Sequence, residues 1–390
     1  MRTSGGRQIV RTAERTTKGG PRSEGRSCGT GGDLEPFEQE YSLHPVDDGR
    51  RLGGERTTRS LGVAGELRPD APIRASRRWG TPAAEETGGT SGDAPFGEAD
   101  LLRTLSACRL CPRACGVNRL EDERGFCGAG KLARVAAVSV HHGEEPPISG
   151  TRGSGTIFFS HCNMTCLFCQ NYPISQYGNG REMDTETLAG EMVRLQERGT
   201  HNVNFVTPTP HVPQMLEALL LARRRGFDLP VVYNTNGYDS LDALALVEGA
   251  VDIYLPDAKY RSAELADTAS GTPDYATHNE AAIAEMVRQV GFLDAGDEGI
   301  ASRGVLVRHL VLPGRVGETE RVLIRLSERF GAELPLSLMG QYFPAWRAAS
   351  LPGFGRKLAP KEYERAIEAA SLLGFRNVFI QELSCPSAQI

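Results

Sequence analysis

From about residue 150 onwards, short apolar runs alternate with stretches of helical periodicity, and this alternation restricts the fold more than any other feature. GTIFFS (155–160) and VNFVT (203–207) have the composition of buried strands. Between them, residues 184–199 carry an N-cap candidate, Asp184, and apolar side chains on one helix face. About seven such strands are separated by helices, which predicts parallel βαβ units with right-handed crossovers.

Three cysteines directly follow the first of these strands. The stretch HCNMTCLFCQNY places Cys162, Cys166 and Cys169 in a C-x3-C-x2-C array, at the strand end where parallel α/β folds carry their chemistry. Sulfur ligands suit iron–sulfur clusters, zinc or copper(I). A cubane cluster held by three thiolates leaves one iron open, whereas a closed zinc site would need His161 or a distant residue as its fourth ligand.

The array, the preceding strand and the aromatic Phe168 before the last cysteine resemble the radical S-adenosylmethionine (radical SAM) enzymes. The resemblance implies a partial parallel (β/α)6-type TIM-like barrel, a 4Fe–4S cluster on the three cysteines, and S-adenosylmethionine chelated by the open iron. It also implies an enzyme that reductively cleaves this cofactor to a 5′-deoxyadenosyl radical for hydrogen abstraction. No catalytic side chain beyond the cluster is assigned.

A narrower resemblance runs from about residue 105 to the C-terminus. CLFCQNYPISQ, CRLCPRACGVNR and GFCGAG are similar to homologues of pyruvate formate-lyase activating enzyme. This similarity implies a flavodoxin-like or ferredoxin-like electron donor and a protein substrate, such as a backbone glycine of a partner. The alternatives are a radical SAM enzyme that acts on a small molecule or RNA, and a non-enzymatic iron–sulfur or zinc protein.

The resemblance also indicates cofactor-contacting residues at successive strand ends. The segment VTPTPHVP stands where the family usually has a Gly-Gly-Glu-like sequence, and this departure makes an ordinary strand-to-helix loop an equal alternative. YNTNGY resembles the T-N-G segment, DIYLPDAKY the D-L-K segment whose Asp helps to bind a monovalent cation, and RHLVLPG a later strand end. The candidates are Phe168, Thr207, Thr209, Asn234, Thr235, Asn236, Asp257 and Arg308.

Four further cysteines lie upstream in a stretch poor in apolar residues. A metal-stapled module over residues 98–140 is predicted, because so few apolar side chains cannot hold a fold alone. Its ligands are sufficient to close one site, which would hold either structural zinc or a second iron–sulfur cluster. They are Cys108, Cys111, Cys115 and Cys127.

Composition sets the remaining limits. Residues 1–97 are rich in Gly, Arg, Ser and Pro without periodicity, which predicts a disordered tail before the module and the barrel domain at 141–390. A net charge of −5 gives no general reason to expect nucleic acid. Nine cysteines and no export signal or membrane-length apolar run favour a cytoplasmic metalloprotein without a membrane partner. The segment 260–280 is expected to form a long loop, either facing substrate or inserted at the surface.

Overall fold

The structure is a computed structural model that describes residues 8–14, 39–42, 98–381 and 383. The strands are β1 (Gln8–Glu14), β2 (Gln39–Ser42), β3 (Ala133–His141), β4 (Ser154–Phe159), β5 (Arg181–Met183), β6 (Val203–Val206), β7 (Val231–Thr235), β8 (Ile253–Pro256), β9 (Gly304–Val305), β10 (Val307–Leu310), β11 (Leu336–Met339) and β12 (Asn377–Gln381). The α-helices are α1 (Glu98–Ser106), α2 (Pro146–Ser149), α3 (Tyr172–Ser175), α4 (Thr185–Glu197), α5 (Val212–Arg224), α6 (Leu241–Val247), α7 (Ala263–Ser270), α8 (Tyr275–Val290), α9 (Val316–Phe330) and α10 (Pro360–Leu372).

The strands form two sheets that meet between β8 and β10. One sheet has the order β5-β3-β4-β6-β7-β8-β9 and the other β10-β11-β12-β1-β2. Asp257, just after β8, pairs in parallel with Arg308 of β10, and the Ala258 amide donates to the Arg308 carbonyl at 2.7 Å. The pairs β4-β6, β6-β7, β7-β8, β8-β9, β10-β11 and β11-β12 are all parallel. The predicted mixed α/β fold with a mostly parallel sheet is therefore confirmed, and the closer assignment to a (β/α)6-type barrel stays a prediction.

Helix α4 shows how the sequence produces the outer layer. The Asp184 carboxylate accepts a hydrogen bond from the Thr187 amide at 2.7 Å, so the predicted N-cap forms. Leu188, Met192 and Leu195 are buried against the sheet, where each contributes about 2 kcal/mol of apolar burial. No helix in the described part of the chain is long and apolar enough to cross a membrane.

The edges of the sheets differ from the sequence expectation. Strand β3 begins inside the predicted module 98–140 but pairs antiparallel with β4 and with β5, so the sheet begins before residue 141. Strand β1 pairs parallel with β12 and antiparallel with β2. These two strands form where a disordered tail is expected, and the rest of 1–97 lies outside the described residues. Strands joined by antiparallel pairing lack the strand-helix alternation that identifies the parallel ones.

The segment 260–280 is a second difference, because it is helical rather than a long loop. Ser262 caps α7 by accepting from the Leu265 amide at 3.2 Å. The helix ends at Gly271, whose φ of 63° lies in the left-handed region. Tyr275 then opens α8. The expectation of a loop was wrong because these capping signals enclose only eight residues.

Candidate functional site

The three-cysteine loop begins directly after β4 and is held in place by α7. His161, the residue before Cys162, adopts a φ of 74°, a left-handed conformation that is uncommon for a non-glycine residue and often marks functional sites. The amides of Thr165 and Leu167 donate to the carbonyls of Ser270 and Ala269 at 3.2 and 2.9 Å. The misassigned segment 260–280 therefore supports the cysteine loop.

Each of the three sulfurs contacts a polar side chain. The Asn236 side-chain amide donates to Cys162 Sγ at 3.3 Å, and the Ser270 hydroxyl donates to Cys166 Sγ at 3.0 Å. Cys169 Sγ and Ser175 Oγ lie 3.2 Å apart. Hydrogen bonds of this kind stabilise a thiolate and tune an iron–sulfur cluster. Three thiols in one loop, each with such a partner, fit a cluster held by three protein ligands.

Burial opposes ionisation of the same thiols. It raises the pKa of Cys162 and Cys166 above the ordinary value and that of Cys169 to about 11. The Ser270 hydrogen bond and the nearby Lys259 ammonium lower the pKa of Cys166 in part. Metal binding must therefore displace the thiol protons.

The segment after β7 contacts the cysteine loop through Asn236 and packs tightly against the interior at Gly237. Asn236 also donates to Asn163 Oδ1 at 2.7 Å, which joins β7 to the residue after Cys162. Gly237 has a φ of 76°, and a Cβ there would collide with the Asp257 carbonyl oxygen and the Asn279 side chain. Only glycine fits this turn without strain.

Asp239 organises two of the predicted cofactor residues, although sequence reasoning missed it. Its buried carboxylate accepts hydrogen bonds from Thr235 at 2.6 Å, Thr209 at 2.7 Å and Tyr233 at 3.0 Å. Burial raises the pKa of Asp239, and these three hydroxyl donors counteract the shift. Thr209 and Thr235 are thus brought together, with their hydroxyls directed at Asp239.

Arg308 is the centre of a buried charge network. Its guanidinium lies 3.4 Å from a Glu144 carboxylate oxygen and 3.3 Å from Asp257 Oδ1. It also donates to Asn234 Oδ1 at 2.5 Å. Lys259 Nζ lies 2.5 Å from the other Asp257 oxygen. Asp257 is thus balanced by two protein cations, where the resemblance would place a monovalent ion.

The pKa shifts in this network follow from burial and pairing. Burial would raise the pKa of Asp257, but Lys259 and Arg308 hold it below the usual value. Burial would lower the pKa of Lys259, whereas Asp257 and Cys166 raise it. Burial raises the pKa of Glu144, and Arg308 partly opposes that shift. No sequence signal identified Glu144, which lies 164 positions from Arg308.

Thr207 and Phe168 occupy different surroundings. Thr207 adopts a φ of 60°, and its amide donates to the Asn234 carbonyl at 2.9 Å. The Phe168 ring is buried against Tyr342 and Phe354, with centroid distances of 5.9 and 5.8 Å. Phe168 therefore anchors the cysteine loop through its ring, and a cofactor contact for either residue stays a prediction.

The four upstream cysteines surround one space. All four line one pocket that is partly open to solvent. The Phe126 amide donates to Cys115 Sγ at 3.4 Å, and Arg119 Nη1 lies 4.0 Å from Cys108 Sγ. Burial raises the pKa of Cys111 to about 12 and also that of Cys127. Within residues 98–381, no three His, Cys, Asp or Glu side chains are placed to hold a single metal ion.

Two arginines attach this module to the barrel. The buried Arg119 donates to the Pro210 carbonyl at 2.7 Å and to the Gly130 carbonyl at 2.6 Å. Arg113 donates to the carbonyls of Asn163 and Gly271 at 3.2 and 2.6 Å. The hydrogen bond from Arg113 to Asn163 places the module directly against the three-cysteine loop.

Comparison with known proteins identifies a family model that covers the three-cysteine loop. The family model of the radical SAM superfamily matches residues 156–318, which include the three-cysteine loop. Among solved structures, anSMEcpe with bound AdoMet is 14% identical with a TM-score of 0.41, over 60% of this chain and 62% of that one. HydG, a maturase of the FeFe-hydrogenase, is 13% identical with a TM-score of 0.43, over 62% of this chain and 55% of that one. Both likenesses are distant.

Two relatives from Methanocaldococcus jannaschii (strain ATCC 43067 / DSM 2661 / JAL-1 / JCM 10045 / NBRC 100440) match more strongly in sequence. The uncharacterized protein MJ0674 is 31% identical over 272 residues, covering 67% of this chain and 74% of the relative. The uncharacterized protein MJ0808 is 29% identical over 169 residues, covering 37% of this chain and 48% of the relative. Together with the family match, these similarities show that the chain belongs to the radical SAM superfamily.

Proposed function

We propose that this radical SAM enzyme binds a 4Fe–4S cluster through Cys162, Cys166 and Cys169 and uses it for hydrogen abstraction. The observation that carries the proposal is the hydrogen bonding of Cys162 and Cys166 by Asn236 and Ser270. When bound, the cluster supplies the electron that cleaves S-adenosylmethionine and yields the hydrogen-abstracting radical. The protein's part is to hold the three sulfurs and shield them from water.

The charged residues near the sulfurs support an anionic group at this site. Lys259 is half-buried, paired with Asp257, and close enough to Cys166 to influence the pKa of that thiol. Its ammonium compensates the negative charge of thiolate ligands and is available to a carboxylate of the cofactor. In this proposal the side chains of Asn234, Thr235, Thr209 and Arg308 act mainly by positioning the strand ends, since each is hydrogen-bonded to a protein group.

For the substrate we propose a backbone glycine of a partner protein. The support is the similarity of the Asn234–Gly237 and Asp257–Lys259 segments to those of glycyl-radical activating enzymes, together with their placement at the carboxyl ends of the adjacent strands β7 and β8. A flavodoxin-like or ferredoxin-like donor and a cytoplasmic location complete the proposal.

The test is anaerobic formation of 5′-deoxyadenosine and methionine from S-adenosylmethionine after reduction. We expect the reconstituted protein to form both, and Cys166→Ala to form neither while retaining its fold. Thr268→Ala, an exposed change on the same helix as Ser270, is the matched control and should behave as the unmodified protein. Cleavage that survives in Cys166→Ala would refute the proposed cluster ligation.

A further inference from the structure

An exposed group of aromatic side chains, here named the aromatic surface, lies beside the three-cysteine loop. It consists of Tyr172, Tyr177, Phe343 and Trp346 with the neighbouring Arg347. Tyr177 is 63% exposed and Phe343 is 52% exposed. The Tyr172 ring stacks on Trp346 with centroids 6.2 Å apart and meets Tyr177 edge to face at 5.6 Å. Aromatic side chains and arginine at a protein surface are enriched in protein–protein interfaces.

The loop after β11 holds the aromatic surface in a fixed arrangement. The Arg347 amide donates to the Leu167 carbonyl at 2.9 Å, and Trp346 Nε1 donates to the Tyr177 hydroxyl at 3.2 Å. Trp346 has a φ of 48°, a left-handed conformation that is rare for a bulky residue and persists only where the surrounding structure enforces it. The rings are therefore ordered before any partner binds, which lowers the entropic cost of docking.

The aromatic surface contacts the outer side of the cysteine loop. The Tyr172 amide donates to the Cys169 carbonyl at 3.3 Å, and the Gln170 side chain donates to the Gln341 carbonyl at 2.9 Å. Cys169 is half-buried, whereas Cys166 is buried. The strand-end side chains of β7, β8 and β10 take no part in these contacts. The position thus suits a partner that delivers an electron to the cluster better than one that presents a substrate to the strand ends.

The charge of this region indicates an acidic partner. Residues 162–180 and 341–359, which supply the cysteine loop and the aromatic surface, contain no Asp or Glu, although the chain has a net charge of −5. The exposed Arg347 guanidinium lies 4.9 Å from the centre of the Trp346 ring. In the described part of the chain, no carboxylate forms a salt bridge with Arg347. An exposed cation of this kind steers acidic proteins and selects against basic ones.

We propose that the aromatic surface is the docking site of an acidic, flavin-containing electron-carrier protein of the flavodoxin type. The exposed edge of a flavin is planar and apolar and can pack on the rings of Tyr177 and Phe343, while Arg347 pairs with a carboxylate of the carrier. One electron passes from the anionic flavin hydroquinone to the cluster, so the flavin becomes the neutral semiquinone, the cluster is reduced and no proton moves. The proposal rests on the proposed function, which supplies the electron acceptor.

The experiment measures how fast reduced flavodoxin reduces the cluster in anaerobically reconstituted protein. Arg347→Glu and Phe343→Ser alter the aromatic surface. Arg198→Glu and Leu372→Ser are the matched controls, because both side chains are exposed and both follow or end helices that lead back to the start of the next parallel strand, at the opposite end of the sheet. We expect the second-order rate to fall about tenfold in each surface variant and to stay unchanged in each control.

Two further readings separate docking from damage to the cluster. Reduced methyl viologen, a small cationic donor that needs no docking site, should reduce Arg347→Glu no more slowly than the unmodified protein. Raising the salt concentration from about 0.05 to about 0.5 M should slow reduction by flavodoxin in the unmodified protein more than in Arg347→Glu.

Unchanged flavodoxin rates in both surface variants would overturn the proposal. A loss that occurs with a plant-type ferredoxin but not with flavodoxin would overturn the choice of a flavin carrier. Failure of the proposed function gives a different result. In that case methyl viologen would find no cluster to reduce in the unmodified protein, or would reduce a cluster that does not cleave S-adenosylmethionine.

Discussion

Replacing Arg308 by Met should lower the free energy of unfolding, because the change removes the guanidinium that pairs with two carboxylates. Arg308 faces Glu144 and Asp257 at 3.4 and 3.3 Å, and its side chain is 14% exposed. Asp257 keeps Lys259 as a partner at 2.5 Å after the change. Glu144 keeps one hydrogen bond, from the Asn204 side chain at 3.0 Å. The main effect is therefore an uncompensated Glu144 carboxylate.

The size of the effect follows from these distances. At 3.4 Å the attraction between Arg308 and Glu144 is about 5 kcal/mol for an effective dielectric constant of about 20. Desolvation cancels part of this attraction, but removal of one partner from a buried pair still costs about 3–5 kcal/mol. We expect Arg308→Met to lose about 3 kcal/mol of unfolding free energy, because Glu144 can protonate and limit the cost.

The assay is urea unfolding at equal iron content of four proteins: the unmodified chain, R308M, E144Q and R308M/E144Q. The double variant removes the isolated carboxylate, so it should be about 2 kcal/mol more stable than R308M. Without Arg308, the folded-state pKa of Glu144 rises further above its unfolded value of about 4.3. Stability of R308M should then fall as the pH rises between these two values, which makes its deficit smaller at about pH 5 than at about pH 8. A double variant no more stable than R308M would refute the reasoning.

Three further changes test other parts of the site and fold. Gly237→Ala places a Cβ against the Asp257 carbonyl at a φ of 76°, so it should cost about 2 kcal/mol or more in urea unfolding. Ser270→Ala removes the hydroxyl 3.0 Å from Cys166 Sγ, and an anaerobic redox titration should show a lower potential for the cluster, with Thr268→Ala unchanged. Arg356, together with the Ala359 and Gly314 amides, lowers the pKa of Glu362 to about 2. Glu362→Gln should therefore lose about 1 kcal/mol above pH ~4.3, and this difference should vanish as the pH falls towards 2.

The sequence was sufficient for the parallel part of the sheet and for the cysteine loop. Periodicity is a local property, so helices such as α4 can be recognised from their caps and apolar face. The spacing of Cys162, Cys166 and Cys169 is equally local. Strands β1, β2, β3 and β5, which lie at one end of each sheet, are recognised only through their pairing with other strands and carry no comparable signal.

The hydrogen bonds that complete the site were not predictable for the same reason. Ser270 meets Cys166 across 104 positions, and Asn236 meets Cys162 across 74. Asp239 follows the T-N-G segment by only two residues, but its partners include Thr209, 30 positions earlier. A buried carboxylate that pairs with several hydroxyls can be identified only when neighbouring strand ends are placed together.

The polar side chains at the strand ends are already held in place by other protein groups, and this affects how they would bind a cofactor. The hydroxyls of Thr209 and Thr235 and the side chains of Asn234 and Asp257 are bonded to protein groups within the described interior. Their orientation is thus fixed by folding, and binding need not order them. We therefore expect substitutions of Asp239 and Arg308, which contact several of these side chains at once, to weaken cofactor binding more than substitution of Thr209 or Thr235 alone. Isothermal titration of the reconstituted variants with S-adenosylmethionine measures the loss of affinity in each. A larger loss on substitution of Thr209 or Thr235 would contradict this expectation and indicate that the threonines contact the cofactor directly.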